Sequence, residues 1–386
     1  MAATISFFPV DNGDMTLIEL ESGRTVLIDV NIRQKADDPD DDTPDVATKL
    51  RKRLKRDQSE RLYVDAFLVS HPDEDHCRGF QRHFHLGPPS EWSKTDDKIL
   101  VREIWSSPMV FRRASKSLTL CEDAKAFNTE ARRRVQRFRD IGSGVSDGDR
   151  ILILGEDENG KTDDLTAILV KTEELFSKVN GQFERSMQAR LLAPLPKGDD
   201  ASEEVLRKNL SSTILRFSLK ADDQADAGLF LTGGDAEVAI WERLWAAHRL
   251  RPDWLAYDIL LAPHHCSWHS LSYESWSQKG EHAAVCEDAR RALSQTRRGA
   301  FIIASSASIK DDKNDPPCIR AKREYEAIAK DVGGSFRCVG EHPSVRAPDV
   351  TEFEIIRAGP RLKSTPMRAT AIVGGGAVGG QPLPHG

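Results

Sequence analysis

The amino-acid sequence predicts an α/β domain with two β-sheets. Two strand-rich blocks occupy the two ends of the 386-residue chain, and in each block predicted helices separate predicted strands. Some of these strands, such as Tyr63–Ser70, are mostly apolar along their whole length, which indicates burial on both faces. Apolar residues make up 39% of the chain, enough for the large core that such a fold requires.

The amino-terminal block is predicted to hold four strands and one helix. Turn residues at Asp11–Asp14 and Glu21–Gly23 separate the first three strands, and an acidic loop precedes the basic helix. In chain order, these elements are the strands Ile5–Val10, Met15–Leu20 and Thr25–Val30, the helix Val46–Arg56 and the strand Tyr63–Ser70.

The middle of the chain, from about residue 85 to 205, has a less regular pattern. Its amphipathic, basic segment Asp123–Arg139 predicts a helix, and the polar stretch Pro196–Glu204 predicts a surface loop. The other predicted elements are the strands Leu100–Trp105, Arg150–Leu154 and Ala189–Leu195, and a helix over Leu165–Val179.

Regular patterns resume in the carboxy-terminal block. The predicted strands are Ser212–Leu219, Gly228–Thr232, Tyr257–Ala262, Ala300–Ser305, Phe336–Val339 and Glu352–Ile356, and the predicted helices are Ala236–Ala247, Glu287–Thr296 and Cys318–Lys330. We therefore expect one domain over residues 1–363. Residues 364–386 are rich in glycine and proline and poor in apolar residues, which predicts a disordered tail.

Composition and net charge disfavour several classes of protein. The formal net charge is −6 at pH 7, which disfavours a protein that coats nucleic acid, because such proteins are usually basic. An enzyme that meets an anionic substrate through a bound cation needs no basic surface. The sequence opens with no secretory pattern, and no apolar run approaches the roughly 18–20 residues of a membrane span. The six cysteines form no C-x-x-C pair, which favours a reducing, cytoplasmic compartment.

The strongest chemical signal is the segment from Ser70 to His76, which follows the apolar strand Tyr63–Ser70. Two histidines and two aspartates fall within six residues: His71, Asp73, Asp75 and His76. Imidazole nitrogens and carboxylate oxygens are ligands that Zn²⁺ or Mn²⁺ accept. Four such groups exceed what one catalytic ion with partners elsewhere needs, so we expect two divalent ions. The alternative is an acidic surface turn with incidental histidines.

Two further strands end in residues of the same kind. Asp235 follows the strand Gly228–Thr232 after two glycines, and His264 and His265 follow Tyr257–Ala262. An aspartate at the start of a helix is more often an N-cap than a ligand. Three strand ends that each present histidine or aspartate reinforce one another, however, and together they predict one metal centre.

These segments resemble metallo-β-lactamase-fold hydrolases, and specifically the branch related to the C-terminal domain of ComEC-type DNA-uptake proteins. The motif from His71 to His76 is similar to the family's His-x-His-x-Asp-His signature, with Asp73 in place of the second histidine. The resemblance covers about residues 4–80 and 205–357. The other similar segments are Gly13-Asp14, Leu27-Ile28-Asp29, Asn209-Leu210-Ser211-Ser212, Thr232-Gly233-Gly234-Asp235 and Pro263-His264-His265-Cys266-Ser267.

The resemblance implies a four-layer αββα sandwich with a mixed α/β insertion over about residues 85–205. It also implies the roles of the site residues. His71 and Asp73 would hold one ion, Asp75 and His76 the other, and Asp235 would bridge them, while His264, or less readily His265, would complete the second site. Asp75 would also orient or accept a proton. Asn209 and Ser212 would offer hydrogen bonds to the substrate, or alternatively cap a turn beside a strand.

Some positions depart from the family pattern. Val30-Asn31 stand where a glycine usually follows Asp29, Asn314-Asp315-Pro316 replace a Gly-His-Pro segment, and Cys266 replaces a glycine. Cys77 directly follows His76, so the thiols of Cys77 and Cys266 either approach the metals or simply fill tight turns. The insertion at 85–205 is a candidate surface for a protein partner.

The resemblance favours a phosphodiesterase or nuclease that acts through a water activated by two metals, with nucleic acid as a candidate substrate. Two alternatives stay open, because one fold supports many chemistries. One is a hydrolase of small esters, lactones, thioesters or amides. The other is a partner-binding subunit that keeps the fold. The sequence indicates no oligomeric state.

Overall fold

The computed structural model describes residues 2–38, 40–108, 120–156, 160–195 and 212–364. Three sequence predictions lie outside these residues: the substrate contact of Asn209, the loop Pro196–Glu204 and the tail from residue 365 onward. No helix among the described residues is both long enough and apolar enough to cross a membrane.

The first sheet contains ten strands of the described residues, in the order β20-β19-β1-β2-β3-β6-β7-β8-β9 with β5 paired to β6. It is mixed: β1, β2, β19 and β20 pair antiparallel, whereas β3, β6, β7, β8 and β9 run parallel. Its strands are β1 (Thr4–Phe7), β2 (Thr16–Glu19), β3 (Thr25–Ile28), β5 (Lys55–Arg56), β6 (Leu62–Val69), β7 (Leu100–Ser106), β8 (Arg150–Leu154), β9 (Leu169–Val170), β19 (Thr351–Ile356) and β20 (Gly359–Leu362). The short strand β4 (Val30–Asn31) forms isolated bridges with Cys77 and Arg78.

The second sheet has seven described strands in the order β10-β13-β14-β15-β16-β17-β18. It is antiparallel from β10 to β15 and parallel from β15 to β18. Its strands are β10 (Leu175–Phe176), β13 (Met187–Ala193), β14 (Ile214–Ala221), β15 (Gln224–Leu231), β16 (Tyr257–Leu261), β17 (Thr296–Ala304) and β18 (Ser335–Cys338), and a separate hairpin pairs β11 (Lys178–Val179) with β12 (Gln182–Phe183).

Among the described residues, the helices in the first half of the chain connect strands of the first sheet, and those in the second half connect strands of the second sheet. They are α1 (Val46–Arg51), α2 (Glu74–Cys77), α3 (Phe80–His83), α4 (Glu122–Ile141), α5 (Val238–His248), α6 (Pro263–Cys266), α7 (Trp276–Lys279), α8 (Glu287–Leu293) and α9 (Ile319–Asp331).

The sheets and helices pack together through three buried apolar layers. One joins the first sheet to α1, α3 and α4, a second lies between the two sheets, and a third joins the second sheet to α5, α8 and α9. The order is therefore helices, sheet, sheet, helices. The four-layer αββα sandwich is confirmed.

Strand β6 shows why the sequence dictates this layering. Successive side chains of a strand point to opposite faces, and in β6 Phe67 and Val69 pack toward the helices while Ala66 and Leu68 pack toward the second sheet. Both faces are buried, so the strand has no polar alternation. This explains the apolar run of Tyr63–Ser70, which the buried Asp65 interrupts.

The middle segment is part of both sheets. It supplies β7, β8 and β9 to the first sheet and β10 and β13 to the second. The predicted helix Leu165–Val179 is wrong: a 3₁₀ turn at Asp163–Ile168 is followed by short strands. Pairing of Leu169 and Val170 with β8 satisfies their backbone, and this tertiary pairing overrides the weak local helix preference.

Candidate metal centre

The strands deliver the predicted ligands to one edge of the sandwich. His71, Asp73, Asp75 and His76 follow β6 of the first sheet, whereas Asp235 follows β15, and His264 and His265 follow β16 of the second sheet. The carboxyl ends of parallel strands meet at one edge of a sheet, where loops from both sheets can converge. All seven side chains therefore lie around one point.

The carboxylate of Asp235 occupies the middle of this group. It is almost fully buried, and its two oxygen atoms face different neighbours. Oδ1 lies 3.0 Å from His76 Nε2 and 3.4 Å from His265 Nε2. Oδ2 lies 3.4 Å from His71 Nε2 and 3.8 Å from His264 Nε2. The two oxygens thus divide the centre into two halves.

The half around Oδ1 also contains Asp75. The Oδ2 atom of Asp75 lies 3.3 Å from His265 Nε2, and the Nε2 atoms of His76 and His265 are 3.3 Å apart. The Asp75 side chain is 33% exposed, unlike the buried rings of both histidines. Asp75 therefore connects this half to solvent.

The half around Oδ2 contains Asp73 beside His71. Asp73 Oδ2 lies 3.8 Å from His71 Nε2, and the Asp73 side chain is 30% exposed. His264 is the more exposed of the two consecutive histidines. The structure therefore brings His264 beside His71, and His265 beside Asp75 and His76.

Two buried aspartates that were not predicted as site residues hold the histidine rings from behind. Asp29 Oδ2 accepts a hydrogen bond from His76 Nδ1 at 2.9 Å, and the backbone N–H and side-chain hydroxyl of Ser70 also donate to Asp29. Asp14 Oδ1 lies 3.5 Å from His265 Nδ1. A carboxylate on the far nitrogen fixes the ring and directs Nε2 toward a metal. Both aspartates lie in segments noted for resemblance, Gly13-Asp14 and Leu27-Ile28-Asp29, but those motifs do not reveal the contact partner.

The donor set fits a metal ion. One ligand atom from each of Asp14, His76, Asp235 and His265 lies within 4.8 Å of the other three, and all four residues are buried. Within the described chain, Asp235 Oδ1 and His71 Nε2 are buried atoms that make no hydrogen bond of acceptable geometry, although Asp235 Oδ1 lies 3.0 Å from His76 Nε2 and His71 Nε2 lies 3.4 Å from Asp235 Oδ2. Such atoms are rare in proteins unless another group satisfies them, and a cation would do so.

The charges of the centre are strongly coupled. Burial alone would raise the pKa of Asp235, but His76 and His265 hold it well below its usual range. Burial alone would lower the pKa of His265, but the carboxylates of Asp235 and Asp14 raise it to about 10. Without an ion, protons on His76 and His265 balance the buried carboxylates, because the pKa values of both histidines are raised. Because a metal needs neutral imidazole, metal binding must release these protons.

A tight turn presents His264 and His265. Their backbones are left-handed, with φ of 52° and 53°, and Cys266 follows with φ of 68°. Left-handed backbone is unfavourable for most residues other than glycine, and three such residues in succession persist only where the surrounding structure holds them. The turn is held close to Gly233, where an added Cβ would lie 2.7 Å from the Leu261 carbonyl oxygen. This close approach explains the first of the two glycines that precede Asp235.

Ser212, and the positions that depart from the family pattern, make contacts that stabilise the loops around the centre. The backbone N–H of Asp235 donates to Ser212 Oγ at 3.3 Å, so Ser212 contacts the loop of the central carboxylate. Asp315, in the segment that replaces Gly-His-Pro, accepts hydrogen bonds from Ser267 Oγ and the Trp268 backbone. Cys266 packs in the outer apolar layer. Asp235 is not an N-cap, because Glu237 precedes α5.

Comparisons with known proteins assign no family to the chain. No protein-family model matches the sequence, and no curated protein matches it. Among solved structures, the crystal structure of unliganded yeast PDE1 is similar, with 11% sequence identity and a TM-score of 0.38 over 88% of this chain and 98% of that chain.

Proposed function

We propose that this chain is a metal-dependent hydrolase of phosphodiesters, with nucleic acid as the substrate class and two divalent ions, Zn²⁺ or Mn²⁺, as cofactors. One observation carries the proposal. The buried carboxylate of Asp235 turns one oxygen to His76 and His265 and the other to His71 and His264. A carboxylate in this position suits a bridge between two ions.

The two halves have the same kinds of ligand. His71, His264 and Asp73 would hold one ion, and His76, His265 and Asp75 the other, with Asp235 shared. This arrangement assigns His264 to the first ion and His265 to the second. Both halves mix imidazole with carboxylate, which suits Zn²⁺ and Mn²⁺ better than an all-oxygen site would.

When bound, the ions would supply an activated water and a Lewis acid for the oxygen atoms of the electrophile. The chain's own residues would do the rest. Asp75, at the solvent-facing side of the centre, would accept the proton of the attacking water. Asp29 and Asp14 would keep the histidine rings aligned through Nδ1.

The substrate class rests on resemblance and charge. The motifs around His71 and Asp235 resemble a branch associated with DNA degradation. Phosphodiesters present anionic, hard oxygen atoms, which divalent ions bind without a basic protein surface. An acidic chain with a net charge of −6 is therefore compatible with a nucleic-acid substrate.

The experiment measures hydrolysis of single-stranded DNA, double-stranded DNA, RNA, bis-p-nitrophenyl phosphate and p-nitrophenyl acetate, each with Mn²⁺, Zn²⁺ or EDTA. Asp235→Asn is the test variant. Glu74→Gln is the matched control. Glu74 lies in the segment His71–His76, which we call the metal loop, but it is 60% exposed and pairs with Arg78.

We expect metal-dependent cleavage of phosphodiesters that is lost in Asp235→Asn and retained in Glu74→Gln. Equal turnover by Asp235→Asn would overturn the assigned centre. Cleavage of the carboxylic ester alone would reject the phosphodiesterase and favour the small-ester hydrolase.

A further inference from the structure

Two cysteines meet directly behind the metal loop. The Sγ atoms of Cys77 and Cys121 are 3.7 Å apart, although the residues are 44 positions apart in the chain. Cys77 ends α2, next to His76, and Cys121 is the N-cap of α4. Both cysteines are free thiols. At this separation, a bond between the sulfur atoms needs only a small side-chain movement.

The two thiols have different surroundings. Cys77 is buried, and its Sγ lies 3.1 Å from the carbonyl oxygen of Asp73. Cys121 is partly exposed, and the Ala124 backbone N–H donates to its Sγ at 3.4 Å. The hydrogen bond with Cys77 lowers the pKa of Cys121 to about 6, against the opposing effect of partial burial. Of the two residues, Cys121 is therefore the more accessible to a reagent in solution, and its sulfur is the more nucleophilic.

We propose that Cys77 and Cys121 are an oxidative modification site that a hydroperoxide converts to a reversible disulfide between α2 and α4. The Cys121 thiolate attacks one oxygen of hydrogen peroxide, which breaks the O–O bond and leaves a sulfenic acid and hydroxide. The Cys77 sulfur then attacks the Cys121 sulfur, and the sulfenic oxygen leaves as water with the Cys77 proton. In total, two thiols are oxidised and one peroxide is reduced to two waters.

The disulfide would act on the metal loop. Oxidation removes the single hydrogen of Cys77, which the Asp73 carbonyl and the Cys121 sulfur compete to accept in the reduced protein. It also ties the residue after His76 to the first turn of α4, which the Asp123 carboxylate already joins to the backbone N–H groups of Gly79 and Gln81. This consequence rests on the proposed function: the bond shifts Asp73 and His76 and slows hydrolysis.

The first test follows the thiols of the full-length chain. The reduced protein is treated with hydrogen peroxide, alkylated under denaturing conditions and digested with trypsin. Cys77 and Cys121 are the single cysteines of the tryptic peptides Leu62–Arg78 and Ser117–Lys125. We expect these two peptides to become cross-linked, with four of the six cysteines still alkylated, and dithiothreitol to restore both.

Two variants provide the test and its control. Cys121→Ser keeps an N-cap side chain for the Ala124 N–H and should abolish the cross-link. Cys286→Ser removes another partly exposed cysteine, whose Sγ lies near Glu242 rather than near another sulfur, and should leave the cross-link unchanged. Oxidation of Cys121 to sulfinic acid while Cys77 stays alkylatable would overturn the proposal, as would uniform loss of all thiols.

The second test measures phosphodiester hydrolysis before and after peroxide. We expect a several-fold loss that dithiothreitol reverses in the natural sequence and in Cys286→Ser, but not in Cys121→Ser. A cross-link without hydrolysis in either redox state would reject the proposed function and leave the disulfide standing. Hydrolysis with no cross-link would reject the disulfide alone.

Discussion

The carboxylate nearest to the back of the His76 ring belongs to Asp29. Asp29 accepts from His76 Nδ1 at 2.9 Å and is itself held by Ser70. Its backbone is left-handed, with φ of 54°, a conformation that asparagine tolerates better than most residues. Replacement by asparagine therefore tests charge and orientation while preserving the backbone.

We expect Asp29→Asn to weaken metal binding by about 10–100-fold, the usual effect of losing an orienting partner of a histidine ligand. Competition against a chromophoric chelator measures the affinity. Asp222→Asn is the control, because Asp222 has the same left-handed backbone but lies in the exposed turn between β14 and β15. Equal affinities of the two variants would show that Asp29 does not orient a ligand.

His83 should make stability depend on pH. Burial is the main cause that lowers its pKa from 6.5 to about 4, and Arg82 adds to the effect. Above pH 6.5 the ring is neutral in both states. As pH falls toward 4, the unfolded chain takes up the proton first, so the native state loses up to about 3 kcal/mol of stability.

Denaturant unfolding of His83→Gln between pH 7 and 4 tests this expectation. The variant should lose less stability over this window than the natural sequence. His282→Gln, at an exposed position, should follow the natural sequence. If the His83→Gln curve fell as steeply, His83 would not be the source of the pH dependence.

At the scale of elements, α4 is fixed to the first sheet by a buried guanidinium. Arg134 is 1% exposed, pairs with the buried Glu130 at 2.7 Å, and donates to the carbonyl oxygens of Val101 and Arg150. These carbonyls belong to β7 and β8. A single side chain thus connects the helix to two strands of the middle segment.

We expect Arg134→Met to destabilise the chain by about 3–5 kcal/mol, because it leaves a buried carboxylate and two carbonyl groups with fewer partners. Urea unfolding measures the change. Arg137→Met is the matched control on the same helix, since Arg137 is 48% exposed and surface pairs contribute about 0–1 kcal/mol. Similar losses in both variants would contradict the special role of Arg134.

Helices and strands were predicted correctly where the local sequence pattern alone determines the structure. The amphipathic segment Asp123–Arg139 is helical as predicted, within a helix that extends from Glu122 to Ile141. The predicted helix Val46–Arg56 ends at Arg51 instead, because Lys55 and Arg56 pair with β6. Strand pairing between distant segments is not visible in a local pattern, and this same effect replaced the helix predicted over Leu165–Val179.

At the scale of the whole molecule, the candidate metal centre lies where the ends of strands from the two sheets meet. The strand ends that carry His71, His76, Asp235 and His265 are local features, so the sequence could predict the candidate ligands. The halves of the centre depend on how the two sheets pack, and the sequence alone did not reveal that His265 faces Asp75. The roles of Asp14 and Asp29 likewise require contacts across different loops.

Because ligands come from both sheets, metal binding should stabilise the whole fold. An ion that binds the native state alone adds about 2.7 kcal/mol when its free concentration is a hundred times Kd. We expect Zn²⁺ or Mn²⁺ to raise the Tm of EDTA-treated protein by several degrees, and the rise to grow with metal concentration. The Glu74→Gln protein should show the same rise. Asp235→Asn removes the carboxylate that both halves share, so its Tm should barely respond, and an equal rise in this variant would show that the ions bind elsewhere.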